Sequence, residues 1–212
     1  LLANIYLHYV FDTWAHHWRE HHARGDVIMV RYADDSVIGF QHEEEAKQFL
    51  EAMRERFAKF GLALHPQKTR LIEFGRYAEQ RRKERGLGRP ETFDFLGFTH
   101  CCSKTRQGGF KILRLTVKKR LRATLAAIRD KLVKKRHEPI KQVGAWLKRV
   151  IRGYFNYHAV PDNLKRLKGF RHAVCRAWFK QLRRRSQQDK MTWERFDRFA
   201  KQYIPCPLRV HP

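Results

Sequence analysis

The spacing of apolar positions predicts helices and short strands in the first half of the chain. Residues 1–18 carry apolar side chains near helical spacing, and residues 43–60 carry a second helical stripe that Gly61 should end. Two β-branched runs within residues 27–40 predict a hairpin between these helices. The remaining pattern predicts strands at residues 70–74, 92–99 and 109–115, and a loop at residues 75–90.

From residue 116 the pattern becomes helical and strongly basic. Thr116 is a candidate N-cap for a helix whose apolar face runs from Val117 to Leu132. Further helices are predicted at residues 140–157, 162–185 and 193–203. The first three of these helices are basic and amphipathic with short connections, which favours a small three-helix bundle. The expected fold class is therefore α+β, with the all-α part last.

The net charge of the chain indicates a polyanionic partner. With 46 Lys and Arg against 21 Asp and Glu, the net charge is +25, which is far more than solubility requires. Residues 1–75 hold 9 basic and 11 acidic side chains, whereas residues 111–185 hold 24 basic and 3 acidic ones. We therefore expect chemistry in the near-neutral part and binding in the basic part.

Composition also disfavours two classes of protein. No run of 18 apolar residues occurs, so no membrane span is expected. The four cysteines form no Cys-x-x-Cys pair, which favours a reduced cytoplasmic protein over a disulfide or zinc scaffold.

Asp34 and Asp35 stand side by side in the predicted hairpin, within the sequence Val-Arg-Tyr-Ala-Asp-Asp. Two adjacent negative charges repel each other unless a cation lies between them. Carboxylate oxygens suit Mg²⁺, which also bridges to substrate phosphates. The alternative interpretation is an ordinary turn, because Asp tolerates turn geometry and bonds its own backbone.

Basic residues on the predicted helices form a second candidate site. A charged face is often only solvated, but here self-repulsion requires an opposing charge, and phosphates of RNA or a template–primer duplex would supply it. The candidate residues are Lys118, Lys119, Arg122, Lys148, Arg149, Lys165, Arg166, Lys180 and Arg183.

Four histidines, at positions 16, 17, 21 and 22, form a weaker candidate. His17 and His21 have the i,i+4 spacing that metal ligands on a helix use, but no Glu-x-x-His frame accompanies them. An exposed, partly charged helix face is the alternative interpretation.

Four segments in a fixed order resemble the second half of a bacterial group II intron reverse transcriptase/maturase. They are Arg-Tyr-Ala-Asp-Asp (31–35), Leu-His-Pro-Gln-Lys-Thr (64–69), Phe-Leu-Gly-Phe (95–98) and Ile-Arg-Gly-Tyr-Phe-Asn-Tyr (151–157). Taken singly, the last three also have ordinary structural interpretations. Residues 64–69 suit a turn with a solvated lysine, residues 95–98 a buried strand with one glycine, and residues 151–157 a helix with an aromatic core face. The resemblance implies a partial palm at residues 1–115 and a thumb or maturase domain at residues 116–212.

The resemblance also implies roles for individual residues. Asp34 and Asp35 would be ligands of a two-metal Mg²⁺ site, with Tyr32 and Ala33 at the primer or substrate. Lys68 would lie near the triphosphate and neutralise charge or donate a proton to pyrophosphate. The primer-grip turn would comprise Leu96, Gly97 and Phe98, and the thumb contacts to nucleic acid would be Arg152, Asn156 and Tyr157.

The implied activity is RNA-directed DNA synthesis from deoxynucleoside triphosphates, by a bacterial cytoplasmic protein that also binds intron RNA and assists splicing of a mobile element. Two departures from the family are expected: fingers and a third catalytic carboxylate would lie upstream of Leu1 or on a separate chain, and no DNA-binding or endonuclease segment is recognised after the thumb. A smaller departure is Ser36, which stands where the family more often has Phe. The chain alone is therefore expected to be inactive as a polymerase. The rival hypothesis is a non-catalytic RNA-binding maturase module.

Overall fold

A computed structural model of the protein describes residues 1–185, 191–208 and 211, and it confirms a mixed fold of helices and small antiparallel sheets. The chain forms two compact units, Leu1–Glu73 and Phe74–Pro212. The domain boundary predicted between residues 115 and 116 stays a prediction. Eight residues of the helical domain predicted beyond that boundary, namely 186–190, 209, 210 and 212, lie outside the described residues.

The first unit confirms the predicted helices and hairpin. It comprises α1 (Leu2–Leu7), a π-helical segment (His8–Asp12), α2 (Thr13–His22), β1 (Val27–Tyr32), β2 (Asp35–Phe40) and α3 (Glu43–Lys59). Three glutamates in the first turn of α3 favour its N-terminus through the helix dipole. Gly61, at φ +66°, follows the end of α3 as expected for a left-handed stop.

The core of the first unit lies between its long helices and one face of the hairpin. Phe11, Ala15 and Trp18 pack against Phe49 and Met53 of α3. Alternate residues of the strands, including Met29, Ile38 and Phe40, cover this cluster. The apolar faces of the helices and of the hairpin therefore pack in one buried layer, which holds the hairpin on the helices.

The second unit combines a three-stranded antiparallel sheet with basic helices. Its elements are α4 (Ala78–Glu84), β3 (Phe93–Phe95), β4 (Phe98–Lys104), β5 (Phe110–Thr116), α5 (Lys118–Lys134), α6 (Ile140–His158), α7 (Leu164–Arg183) and α8 (Trp193–Tyr203). The strand order is β3-β4-β5. Helix α7 packs on α5, α6 and α8, and the buried side chains Leu147, Ile151, Phe170, Trp178 and Phe196 form the centre of the core.

Three local predictions are wrong. Residues 70–74 form no strand, since no neighbouring strand pairs with them and Phe74 instead packs its ring 5.0 Å from that of Phe93. The loop predicted at residues 75–90 contains α4, because Ala78–Glu84 consists of strong helix formers. Thr116 ends β5 instead of capping α5, and Val117 takes the N-cap position.

The strand predicted at residues 92–99 is broken into two strands. Phe95 pairs with Phe98, so Leu96 and Gly97 form a two-residue turn. Both have positive φ, +47° and +80°, as type I′ hairpin turns require. Gly97 therefore supplies the positive φ that this turn requires.

A helix that crosses a bilayer must be both long and predominantly apolar. None of them in residues 1–185, 191–208 and 211 is both long and apolar enough to cross a membrane.

Candidate active-site hairpin and nucleic-acid surface

The hairpin between β1 and β2 places the paired carboxylates at its exposed tip. Tyr32 pairs with Asp35, so the connecting turn consists only of Ala33 and Asp34. Asp34 and Asp35 are both exposed. Ala33 has φ +55°, a left-handed conformation that costs about 1–2 kcal/mol in a residue with a Cβ. A strained turn that presents two carboxylates to solvent is suited to hold a cation and to contact a substrate.

The outer face of the hairpin is apolar and open. Val27, Met29 and Arg31 alternate inward, whereas Ile28, Val30 and Tyr32 remain 69%, 47% and 64% exposed. Asp35 lies opposite Tyr32 and so shares this outer face. The predicted substrate contact Tyr32 is thus available beside one of the carboxylates.

Arg31 connects the turn to the helices beneath it. Its Nε donates to Asp12 Oδ1 at 2.6 Å and its Nη2 donates to Asp12 Oδ2 at 2.5 Å. The remaining nitrogen, Nη1, donates to the carbonyl oxygen of Ala33 at 2.7 Å. The hydrogen bonds and charge of Arg31 lower the pKa of Asp12, despite the opposing effect of burial. Asp12 is therefore engaged with Arg31 as a carboxylate.

The segment at residues 64–69 forms the predicted turn in the same unit. The backbone N–H groups of Lys68 and Thr69 both donate to the carbonyl oxygen of His65, at 3.1 and 2.9 Å. Lys68 is exposed. The structure thus places Lys68 in the compact unit that carries Asp34 and Asp35, and its role toward a triphosphate stays a prediction.

The histidine cluster in α2 is explained by local contacts. His21 Nδ1 lies 2.8 Å from the carbonyl oxygen of His17, and His22 stacks on Trp18 with ring centroids 5.5 Å apart. Across the part of the chain that the structure describes, no three or more His, Cys, Asp and Glu side chains form a group that could hold a metal ion. The exposed-face interpretation agrees with these contacts.

The second unit brings two of the sequence motifs together. The hydroxyl of Tyr157, in the motif at residues 151–157, donates to the carbonyl oxygen of Leu96 in the Phe-Leu-Gly-Phe turn at 2.7 Å. The rings of Phe98 and Tyr157 stack with centroids 5.8 Å apart. A Cβ on Gly97 would lie 3.2 Å from Arg120 Nη1, so this turn is closely covered by helical side chains.

A buried amide connects β5 to the helices nearby. Asn163 Oδ1 accepts from the backbone N–H of Thr116 at 3.0 Å, and its Nδ2 donates to Thr116 Oγ1 at 2.7 Å and to the His158 carbonyl at 2.8 Å. Arg166 donates to the carbonyl oxygen of Thr116. Arg166 is thus partly used in this junction, although the sequence suggested it for nucleic acid.

Most of the other predicted nucleic-acid contacts lie on the surface. Lys148, like Arg166, is half-buried. The exposed ones are Lys118, Lys119, Arg122, Arg149, Arg152, Asn156, Tyr157, Lys165, Lys180 and Arg183. We call this set the basic helix surface.

Two exposed glycines within the basic helices, Gly153 of α6 and Gly169 of α7, have no internal explanation. Gly153 lies in the middle of α6, where glycine costs about 1 kcal/mol relative to alanine. A Cβ there would meet nothing within 4 Å. An exposed glycine between Arg152 and Asn156 leaves room for another molecule to approach the helix backbone.

Sequence reasoning missed several residues that organise these sites. Asp12, Arg120 and Asn163 were not singled out, and Arg31 was named only as part of a motif. Asn163 directly precedes α7 in the structure, a position where Asn is common, but the helix predicted at residues 162–185 included it and so hid this signal. The partners of Arg31 and Gly97 are distant in sequence and had no local signature.

A comparison with protein families gave a match in the first 100 residues. Residues 1–100 match the reverse transcriptase (RNA-dependent DNA polymerase) family. The matched residues include Asp34 and Asp35 of the hairpin, Lys68, and the turn at Leu96 and Gly97. A comparison with curated proteins gave no match. The similarity to reverse transcriptases thus covers the first three motifs, and the group II intron type and the maturase part rest on the sequence resemblance alone.

Proposed function

We propose that the chain is the catalytic-hairpin and thumb part of a group II intron-type RNA-directed DNA polymerase that also binds intron RNA. The observation that carries this proposal is the exposed Asp34–Asp35 pair on a strained hairpin turn, inside the segment that matches reverse transcriptases. Reverse transcriptases act on a nucleic acid template and deoxynucleoside triphosphates, so both are the proposed ligands.

The two carboxylates fit a Mg²⁺ site of the kind that phosphates complete. Mg²⁺ is usually bound by one or two carboxylates together with waters and substrate phosphates. When bound there, Mg²⁺ would lower the pKa of the attacking hydroxyl and stabilise the charge on the leaving pyrophosphate. Asp34 in the turn and Asp35 at the start of β2 would hold it, and the open face beside Tyr32 would receive the primer end.

The proposed chemistry needs one more metal ligand. Two-metal transfer places two ions about 4 Å apart, and precise placement requires a well-supported set of ligands. We therefore propose that a third carboxylate comes from another segment or a separate chain. The 212 residues alone are then expected not to extend a primer.

The basic helix surface is the proposed RNA-binding part, which corresponds to the thumb or maturase domain. The second unit holds 37 of the 46 Lys and Arg and only 10 of the 21 Asp and Glu. Neutralising phosphates releases counterions, so this surface should make binding strongly salt-dependent. The open space at Gly153 supports close approach of a nucleic acid strand to α6.

The place of action proposed from the sequence is the bacterial cytoplasm. All four cysteines, Cys101, Cys102, Cys175 and Cys206, are free thiols. Free thiols are typical of a reducing compartment.

Substitution of Asp34 tests the polymerase proposal. In the assembled enzyme, Asp34→Asn should reduce primer extension at least about 100-fold, because metal stabilisation of the transition state is worth several kcal/mol. The matched control is Asp26→Asn, which alters an exposed Asp just before the same hairpin. RNA affinity should be unchanged in both variants.

A second candidate function is RNA binding without catalysis. It is favoured by the concentration of basic side chains in the second unit. If Asp34→Asn leaves DNA synthesis unaltered while the basic helix surface still binds intron RNA, the binding module is the better account. Replacing Lys118, Lys119 and Arg122 by Gln should flatten the salt dependence of RNA binding under either function.

A further inference from the structure

The guanidinium of Arg31 holds the turn that carries the paired carboxylates. Its Nη1 donates at 2.7 Å to the carbonyl oxygen of Ala33, which belongs to the peptide group that joins Ala33 to Asp34. The same nitrogen lies 3.4 Å from Asn4 Oδ1. Fixing this peptide group fixes the backbone from which the Asp34 side chain leaves.

The Arg31 side chain is itself fixed by Asp12. Both Asp12 oxygens accept from the fork, at 2.6 and 2.5 Å, in the bidentate arrangement that gives Arg–carboxylate pairs their directionality. The Arg31 and Asp12 side chains are only 18% and 31% exposed. A partly buried bidentate pair of this kind holds its geometry better than a surface ion pair does.

Asp12 lies at the end of the π-helical segment His8–Asp12. Such segments interrupt α-helices rarely and are frequent at functional sites. The segment is anchored in the core through Phe11, so Asp12 presents its carboxylate from a rigid base. The strained φ of +55° at Ala33 also requires support from outside the turn.

We propose that Arg31 and Asp12 are positioning residues that hold the Ala33–Asp34 turn, and with it the carboxylates of Asp34 and Asp35, in a metal-binding geometry. This inference rests on the proposed function, since it assigns the pair to the same hairpin. Lysine at position 31 would keep the charge, but a single ammonium cannot bond both Asp12 oxygens and the Ala33 carbonyl in the same fixed fork. Position 31 should therefore require arginine.

The test compares three single variants of the full chain. Arg31→Lys and Asp12→Asn remove the fork geometry with little change in volume. Arg54→Lys is the control, because Arg54 makes an exposed ion pair with Glu51 on α3 of the same unit. Far-ultraviolet circular dichroism and the thermal midpoint establish that each variant folds.

Two readouts separate positioning from general stability. The first is the ¹⁵N relaxation order parameter of the amides of residues 33–35, which should fall from about 0.85 to below about 0.6 in Arg31→Lys and Asp12→Asn. The second is Mn²⁺ affinity, measured by paramagnetic broadening of the same amides. The Mn²⁺ affinity should weaken about tenfold in Arg31→Lys and Asp12→Asn, which corresponds to about 1.4 kcal/mol. It should stay unchanged in Arg54→Lys.

The outcomes distinguish this inference from the proposed function. Unchanged order parameters, or lower ones with unaltered Mn²⁺ affinity, overturn the positioning role while leaving the metal site intact. If the unsubstituted chain shows no Mn²⁺ broadening at the hairpin, Asp34 and Asp35 do not hold a cation without a third ligand and the positioning role toward a cation in this chain fails. The proposed polymerase function is then still decided by the Asp34→Asn variant of the assembled enzyme.

Discussion

The hydroxyl of Tyr157 donates a hydrogen bond to the carbonyl oxygen of Leu96 at 2.7 Å. Tyr157 lies near the end of α6, and Leu96 opens the turn between β3 and β4, so the bond connects the helices to the sheet within the second unit. The stacked rings of Phe98 and Tyr157 strengthen the same junction. Tyr157 therefore has a structural task, in addition to its proposed contact with nucleic acid.

The Tyr157→Phe variant tests this junction. It keeps the ring and removes the hydrogen bond, so the free energy of unfolding should fall by about 0.5–1.5 kcal/mol. Urea unfolding followed by tryptophan fluorescence measures the change. Tyr77→Phe is the control, because Tyr77 is an exposed tyrosine whose ring lies beside Arg81. Equal stability of the two variants would contradict a stabilising role for the Tyr157 hydroxyl.

Alanine substitution at two turn glycines distinguishes backbone strain from steric crowding of the added Cβ. Gly97 and Gly108 have nearly equal φ angles, +80° and +85°, but only at Gly97 would a Cβ meet neighbours, with Arg120 Nη1 at 3.2 Å and a Tyr157 ring carbon at 3.6 Å. Both alanine variants should lose about 1–2 kcal/mol from the left-handed backbone. Gly97→Ala should lose more, because Arg120 must also move.

Urea unfolding of Gly97→Ala and Gly108→Ala gives the difference directly. The RNA affinity of the two variants is a second measurement, because Arg120, which must move in Gly97→Ala, lies among the basic residues of α5. A greater loss of stability in Gly108→Ala would contradict steric crowding of Gly97 by Arg120 and Tyr157.

The sequence predicted the parts of the fold that depend on local pattern. The helices at residues 43–60 and 193–203 and the hairpin at residues 27–40 follow from apolar periodicity and β-branched runs, and the structure confirms them. The turn that carries Asp34 is also predictable from local sequence, because two strand-like runs flank Asp34 and Asp35. These features needed no knowledge of distant contacts.

Other features depend on contacts between distant residues, which a single sequence does not display. The turn at Leu96 and Gly97 was hidden because the run Thr-Phe-Asp-Phe-Leu-Gly-Phe-Thr looks like one apolar strand. The partnership of Arg31 with Asp12 spans 19 positions and crosses from strand to helix. An ion pair of this kind has no fixed spacing, so it becomes visible only in the folded chain.

Two glycines within α6 should respond oppositely to alanine. At Gly144 a Cβ would lie 2.6 Å from the Tyr203 ring, which is a closer approach than the packed α6–α8 contact can accommodate. Gly144→Ala should therefore destabilise the second unit by about 1–3 kcal/mol. At Gly153 a Cβ meets nothing within 4 Å, so Gly153→Ala should stabilise the unit by up to about 1 kcal/mol through helix propensity.

Thermal unfolding of these two variants measures the contrast. Gly153→Ala also tests the open space on the basic helix surface, because the added methyl group should weaken RNA binding while it stabilises the fold. Stabilisation with unaltered RNA affinity would mean that no strand approaches α6 at this residue.

Acid pH should destabilise the second unit through His158. Burial lowers the pKa of His158 and the charge of Arg120 lowers it further, although the hydrogen bond to the Tyr154 carbonyl raises it. The unfolded chain, with a histidine pKa of about 6.5, then binds the proton more readily than the folded chain does. Stability should be unaffected by this group above that pH and should fall as the pH drops below it.

The His158→Gln variant should show a smaller fall in the urea midpoint between pH 7.5 and 5.5 than the unsubstituted chain. The fall should not vanish, because burial also lowers the pKa of His100 in the same unit. His137→Gln, at an exposed position after α5, is the control and should retain the full pH dependence. If His158→Gln retains it too, the half-buried imidazole of His158 is not the group whose protonation opposes folding.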